Sequence, residues 1–230
     1  MTLSIARKTL REYGDPLRAS HVRTYFKNSQ KDIFLGVKAA FVRKVAKDFW
    51  ELSLSDIRHL MASDIHDERA LAHQILCLKF KKGDMSEQKQ IYEFYIENRI
   101  YIRDWDGVDD TAPYIVGPYL LNRDKAYLYE LALSSHIWDR RIAIVSTWWF
   151  IRNNHVHDTL EIAKRLLSDH EDLIHKASGW MLREVGKRDL TALKEFLNAH
   201  ASTMPRTMLR YAIERLEPAE RQHYLSRKKS

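Results

Sequence analysis

The sequence predicts an all-α protein, and three observations carry that prediction. Glycine and proline are scarce, 7 and 5 in 230 residues, whereas strands joined by tight turns use more of both. Apolar residues recur at three- and four-residue spacing along most of the chain, as one face of a helix requires. Those periodic stretches are separated by short polar segments that carry capping and stop signals.

Taken in order, Ser4 to Tyr13 reads as an amphipathic helix that ends near Gly14-Asp15-Pro16, and a second runs from Leu17 to Asn28. After Gly36, the spacing of Val37, Phe41, Val45 and Phe49 predicts a third buried face. Ser53 and Ser55 cap the next helix, which holds Ile57, Leu60 and Met61. Asp67 opens a long one through Lys81, stopped at Lys82-Gly83-Asp84, and Ser86 starts the helix that reaches Tyr101. An acidic stretch follows, then the apolar segment Pro113 to Leu121. Further helices are expected from Asp124 to Leu133 and from Ile137 to Asn153. Asp158 with Glu161, and Asp169 with Asp172, are cap-like pairs before helices ending at Leu167 and Lys187. Asp189 heads a helix to His200, and Pro205 and Pro218 suit the first turns of two more.

That is about a dozen helices of roughly 10–17 residues, and pairs of roughly 35–45 residues fit a degenerate HEAT-like solenoid of antiparallel helix pairs. A compact helical bundle is the alternative. A solenoid offers a concave face suited to a rod-shaped ligand. The expected organisation is one domain over residues 1–226 with a frayed basic tail at 227–230.

The charge narrows the partner. A net charge of +7 and a pI near 9.4 favour a polyanion. MTLSIARKTL lacks the apolar core of a signal peptide, and no run approaches the ~18 apolar residues of a membrane span, so a cytoplasmic, membrane-free monomer is expected. The single cysteine, Cys77, allows no internal disulfide and reads as a small core residue. His155-x-His157 with Asp158 has metal-like spacing, but exposed loop histidines explain it as well, and no metal or cofactor is expected.

Against that basic background, Arg103-Asp104-Trp105-Asp106-Gly107-Val108-Asp109-Asp110 packs four carboxylates around an exposed-looking tryptophan. On a helix Trp105 and Asp109 share a face at i and i+4, and Val108, Ala112, Ile115 and Val116 extend it as an apolar stripe. A carboxylate at the head of such a stripe is unusual. Capping accounts for it alone, with Asp106 at the N-cap and Asp109 three positions on.

Two later stretches add weight. On a wheel of Ile174 to Lys187, Ile174, Ala177, Met181 and Val185 form the apolar face. Lys176, Trp180, Arg183 and Lys187 lie opposite. The wheel fits either a tryptophan covered by cation stems or an aromatic platform on a phosphate-binding surface, and the second reading is favoured. In Ile137-Trp138-Asp139-Arg140-Arg141, Arg141 heads the stripe of Ile144, Val145 and Trp148. It either pairs with a carboxylate such as Asp139 or grips an anion.

Together, Trp-Asp-x-Val-Asp at 105–109, Ile-Trp-x-x-Arg at 137–141 and Lys-Ala-x-Gly-Trp-x-Leu-Arg-Glu at 176–184 resemble the AlkD-type alkylpurine DNA glycosylases, a HEAT-like repeat family. Tyr25-Phe26-Lys27-Asn28 and Phe34-Leu35-Gly36-Val37 look like that family's second and third helices, and the resemblance spans nearly the whole chain in order. It implies that Trp105, Asp109 and Trp180 are active-site residues, that Arg141 contacts the backbone beside the lesion, and that Tyr25 lines the same cleft. Lys176, Arg183 and Lys187 complete the expected DNA-binding set. Asp110, a second carboxylate beside Asp109, and the bulky Trp148-Trp149 depart from the pattern.

The implied reaction is hydrolysis of the N-glycosidic bond of cationic N3- or N7-alkylated purines in duplex DNA. Because such a base already carries positive charge, its departure needs no protonating acid. The resemblance also implies that the base stays in the duplex while the indoles engage the sugar. In keeping with that, the motifs show no third aromatic placed to sandwich an extruded base and no Asn or Gln to read its edge. The competing readings are a silent HEAT-like DNA-binding protein, which would not need Asp109, and a protein-interaction scaffold, which would lack salt-sensitive DNA binding.

Overall fold

A computed structural model describes residues 2–26 and 31–227, and among these the secondary structure is fifteen α-helices and two short 3-10 segments. No strand forms among them; a single isolated bridge joins Ile33 and Ile65. The chain divides into two compact units, residues 1–115 and 116–230.

In the first unit, α1 (Leu3–Glu12) is capped by Thr2, and α2 (Pro16–Arg23) begins with proline at N1 while the Asp15 carboxylate accepts from the Leu17 and Arg18 amides. The second helix is shorter than expected. Successive i+3 bonds from the Thr24, Tyr25 and Phe26 amides wind it tight after Arg23, and the Lys27-Asn28 end of the expected helix lies outside the described residues. Phe34–Val37 is a loop rather than a helix, because Gly36 turns at φ 77°. A Cβ there would lie 2.2 Å from the Asp15 carbonyl, so only glycine lets the loop close on α2.

Helix α3 (Ala39–Asp48) buries Val42, Val45 and Ala46. Its expected stripe is corrected at one position: Phe41 turns outward and stacks on Tyr13 at 4.5 Å. Ser53 caps α4 (Leu54–Met61), whereas Ser55 lies inside it. Asp84, not Ser86, starts α6 (Met85–Glu97) through a reciprocal capping box with Glu87, and that helix stops at Glu97, four residues short, before the 3-10 segment Arg99–Tyr101.

These helices gather around α5 (His66–Lys82), which is buried along most of its length. Leu71, Ala72, Ile75 and Leu76 have no exposed surface, and each buried leucine or isoleucine among them contributes ~1.5–3 kcal/mol. The first turn of α5 spends its charges on tertiary structure instead of capping. Asp67 accepts from the Leu35 and Val37 amides at 2.7 and 2.8 Å. Glu68 holds Arg7 and Arg11 of α1 at 2.9 and 2.8 Å. Arg69 reaches Asp32 at 2.7 Å and Asp104 at 2.6 Å. The last helix of the unit is α7 (Trp105–Asp109).

The second unit comprises α8 (Val116–Leu120), α9 (Ala126–Leu131), α10 (Ile137–Arg152), α11 (His157–Arg165), α12 (Asp172–Gly186), α13 (Leu190–His200), α14 (Arg206–Ala212) and α15 (Pro218–Ser226). Here α10 is the buried centre, with Ile142, Ala143, Ile144 and Val145 fully enclosed and α12 packed beside it. Asp189 caps α13 as expected. The two expected cap pairs divide: Asp158 accepts the Tyr129 hydroxyl at 2.8 Å instead, whereas Asp169 accepts from the Glu171 amide at 2.9 Å and also binds Arg140 at 2.6 Å. No described helix is long and apolar enough to cross a membrane.

Candidate active site

The acidic stretch folds into five helical residues, and its carboxylates have different neighbours. Asp104 is buried and its oxygen meets Arg69, so although it stands at the N-cap it makes no capping bond. Asp106 is not the N-cap. Its carboxylate accepts from the Gly107 amide and lies 2.9 Å from His66 Nε2. Capping therefore fails as the explanation of this stretch. The two aspartates that flank Trp105 tether α7 to the first turn of α5.

Trp105 is half-buried, not exposed, and stacks on Phe26 with centroids 5.3 Å apart and planes 9° from parallel. Phe34 and His66 pack behind Phe26. Four residues after Trp105, as the wheel requires, Asp109 closes the helix in a half-buried position, with Val108, Ala112, Ile115 and Val116 fully buried. Asp110 follows at the surface, takes a hydrogen bond from Gln74 at 3.2 Å, and its carbonyl receives the thiol of Cys77 at 3.3 Å. Cys77 is thus half-buried against α7 instead of in the core. Burial pushes the Asp110 carboxyl up to about 6, helped by the charges of Asp106 and Asp109.

His66 titrates in the opposite sense to a lone buried imidazole. Burial works to lower its pKa, but the hydrogen bond and charge of Asp106, with Asp104 behind it, outweigh burial and raise it above 6.5. The folded state therefore holds the proton more tightly than the unfolded chain. The stability this adds is fully present below pH 6.5 and is lost as pH rises through the raised value. Thermal melts above pH 6.5 should fall for the natural chain and stay flatter for His66→Gln; parallel curves would remove His66 from the scaffold.

Between α2, α3, α5 and α7 lies a cavity of ≈ 460 Å³. Tyr25, Phe26, Phe34, Trp105, Asp106 and Asp110 line it, with His66 and Gln74 from α5 and Arg18 and Arg43 from α2 and α3. Asp109 is not among the described lining residues. Tyr25 is 60% exposed, and its hydroxyl meets His21 at 3.2 Å. This corrects one sequence-level argument. Aromatic rings besides Trp105, and a glutamine, do stand at this motif. They are distant in sequence and are brought here by α2 and α5.

His66, Asp104 and Asp106 place one ligand atom each within 4.8 Å of the others, a spacing that could hold a metal ion. Arg69 already lies 2.6 Å from the Asp104 carboxylate, so the donor set faces a fixed cation and fits a metal poorly. His155 and His157 are exposed, and Asp158 beside them is engaged by Tyr129.

The second unit carries the other expected residues. A Cβ at Gly179 would lie 2.5 Å from both the Met208 carbonyl and Tyr211 Cβ, so this glycine permits α14 to cross close to α12 just before half-buried Trp180. Ile174, Ala177, Met181 and Val185 are buried, as the wheel predicts. Arg141 is buried and donates to the Leu173 carbonyl at 2.6 Å. The cations Lys176 and Arg183 of α12, and Lys187 at its C-cap, have protein partners. Lys176 binds Asp172 at 2.8 Å, Lys187 binds Glu184 at 2.6 Å, and Arg183 binds Glu214. A phosphate would have to compete with these pairs, which at exposed positions hold by only ~0–1 kcal/mol each.

The family profile described as DNA alkylation repair enzyme matches residues 6–216. A solved structure of a predicted DNA alkylation repair enzyme from Enterococcus faecalis is similar over 89% of this chain and 97% of that one, with a TM-score of 0.71 and 16% identity. At that identity the likeness is one of fold. No curated protein matches the chain.

Proposed function

The chain belongs to the DNA alkylation repair enzyme family, and from that premise we propose that it is a DNA N-glycosylase releasing cationic N3- or N7-alkylated purines from duplex DNA. The observation that carries the reading is the way α7 is held. Arg69 and His66 anchor Asp104 and Asp106 on either side of Trp105, and this fixes the helix that presents Trp105 and Asp109. A rigid mount of this kind is what a catalytic carboxylate needs.

In this proposal Asp109 stabilises the positive charge that develops on the sugar and orients the attacking water. Trp105 and Trp180 pack against the cationic sugar face. Tyr25 lines the cleft, and Arg141, Lys176, Arg183 and Lys187 meet phosphates. HEAT-like pairing of the helices and a single domain over residues 1–226 belong to the same proposal. A silent DNA-binding protein would keep the basic residues without needing Asp109. Incubation with methylated duplex should release free 3-methyladenine or 7-methylguanine; a duplex that binds but never loses a base would support the silent reading.

Salt dependence tests the phosphate contacts. Log K should fall with log salt by about 0.9 per phosphate contact. Arg183→Ala should flatten the slope by roughly one contact. An unchanged slope would assign Arg183 to its pair with Glu214 alone.

A further inference from the structure

Trp105 opens a helix only five residues long, and that helix does little to fix its side chain. The N-cap, Asp104, makes no capping bond, and the indole is half-buried at the edge of the cavity. An indole so placed can turn about its side-chain torsions unless a neighbour stops it. Phe26 is that neighbour. The two rings stack with centroids 5.3 Å apart and planes 9° from parallel, the offset arrangement that aromatic quadrupoles favour. We propose that Phe26 is a positioning residue for base release: its ring sets the plane of the Trp105 indole, so that the indole meets the sugar already oriented. The inference rests on the glycosylase reading and adds to it a residue that acts through Trp105 rather than on the DNA.

Phe26 can serve in this way because it is itself held from behind. It is 8% exposed, with Phe34 at 5.3 Å and 39° and His66 at 4.7 Å and 57° between centroids and planes. Neither of these rings is loose. Asp67 accepts from the Leu35 and Val37 amides and so pins the loop that carries Phe34. Nε2 of His66 lies 2.9 Å from the carboxylate of Asp106, the residue next to Trp105. The contacts therefore close on themselves. Trp105 rests on Phe26, Phe26 on His66, and His66 is bonded to Asp106 beside Trp105. A change in the plane of the indole must disturb either the stack or the bond that tethers α7.

Core packing accounts for this cluster less well. Phe34 and Trp105 remain half-buried, and Phe26, Phe34, His66 and Trp105 all line the cavity, whereas the apolar centre of the unit lies along α5. A parallel stack uses one face of the indole and leaves the other, whose π-density attracts the positive charge that develops on the sugar. An orientation fixed before the DNA arrives need not be found during the reaction.

Three measurements on the full chain test this: single-turnover base release from methylated duplex, affinity for undamaged duplex, and fluorine NMR of protein labelled with fluorotryptophan. Phe26→Leu keeps an apolar side chain but removes the ring, and should slow release roughly 10-fold while affinity is unchanged. Phe26→Tyr keeps the ring and should retain the rate. Of the six tryptophan lines, the one lost in Trp105→Phe should move or broaden in Phe26→Leu while the rest hold. Phe34→Leu loosens Phe26 from behind and should show the same pattern in smaller measure, which keeps the test sound should Phe26→Leu fail to fold. Full rate in Phe26→Leu, an equal loss in Phe26→Tyr, or a slowed variant whose Trp105 line has not moved overturns the proposal. Movement of all the tryptophan lines together would also overturn it, since Phe26 would then hold the unit as a whole. A natural chain that releases no base removes the glycosylase reading instead, and the Trp105 line then decides by itself whether Phe26 fixes the indole.

Discussion

Asp109→Asn should reduce base release by a hundredfold or more while DNA affinity holds or rises slightly. Fixed charge aimed at developing charge is commonly worth ~10²–10³ in rate. Its loss is felt in the transition state, where the sugar becomes cationic, and not in the ground-state complex. Removing a negative charge from a surface that approaches phosphates should, if anything, favour binding. Single-turnover release of methylpurine, with affinity measured on undamaged duplex, checks both halves. Asp106→Asn is the necessary companion. It removes the negative charge that meets His66 across a 2.9 Å contact and should lower the melting temperature, with a stability loss of ~1–3 kcal/mol. A loss of rate in Asp106→Asn without a loss of stability would mean that the two carboxylates have been assigned to each other's roles.

Arg69→Met should be the most destabilising single change in the first unit. Arg69 is 1% exposed and bridges Asp32 and Asp104, themselves 7% and 3% exposed. Deleting the cation leaves buried Asp32 without its Arg69 pair and buried Asp104 with His66 at 3.8 Å in its place, at ~3–5 kcal/mol. That is a large share of the ~5–15 kcal/mol that holds a domain folded. Burial already pushes Asp104 above its ordinary value despite Arg69 beside it, and without Arg69 it should rise further. The defect should therefore shrink as pH falls and the carboxyl protonates. Adding Asp32→Asn and Asp104→Asn to Arg69→Met should recover part of the stability. Denaturant titration of the natural, single and triple variants measures this. A triple variant no more stable than the single one would deny the charge imbalance.

Some features were legible because they are local. Helix spacing and scarce glycine gave the all-α class, and the helix over Trp105 to Asp109 follows from i, i+4 geometry within five residues. Caps at Ser53 and Asp189 read correctly because the side chain and the amide it binds are three positions apart. Where an acidic residue had a distant alternative, the sequence misled. Asp158 stands at a helix start yet binds a tyrosine about thirty residues away, and Asp169 adds an arginine at the same distance to the Glu171 amide beside it. A buried charge is drawn to the partner that satisfies it most completely, and that partner is set by packing.

The same distinction separates the two carboxylate settings at the candidate site. By itself the sequence determined the class of fold, the amphipathic face of Ile174 to Val185 and the shared face of Trp105 and Asp109, because these depend on the regular geometry of one helix. Tertiary structure alone decided that Asp104 and Asp106 hold α7 to α5, and that Tyr25, Phe26, Gln74 and Asp110 surround one cavity. Those residues come from helices and loops up to 85 positions apart, as with Tyr25 and Asp110, and no periodicity within a segment encodes which segments meet. Their meeting is fixed by burial of α5 and by the ion pairs of its first turn, whose strength depends on exclusion from water in the folded chain.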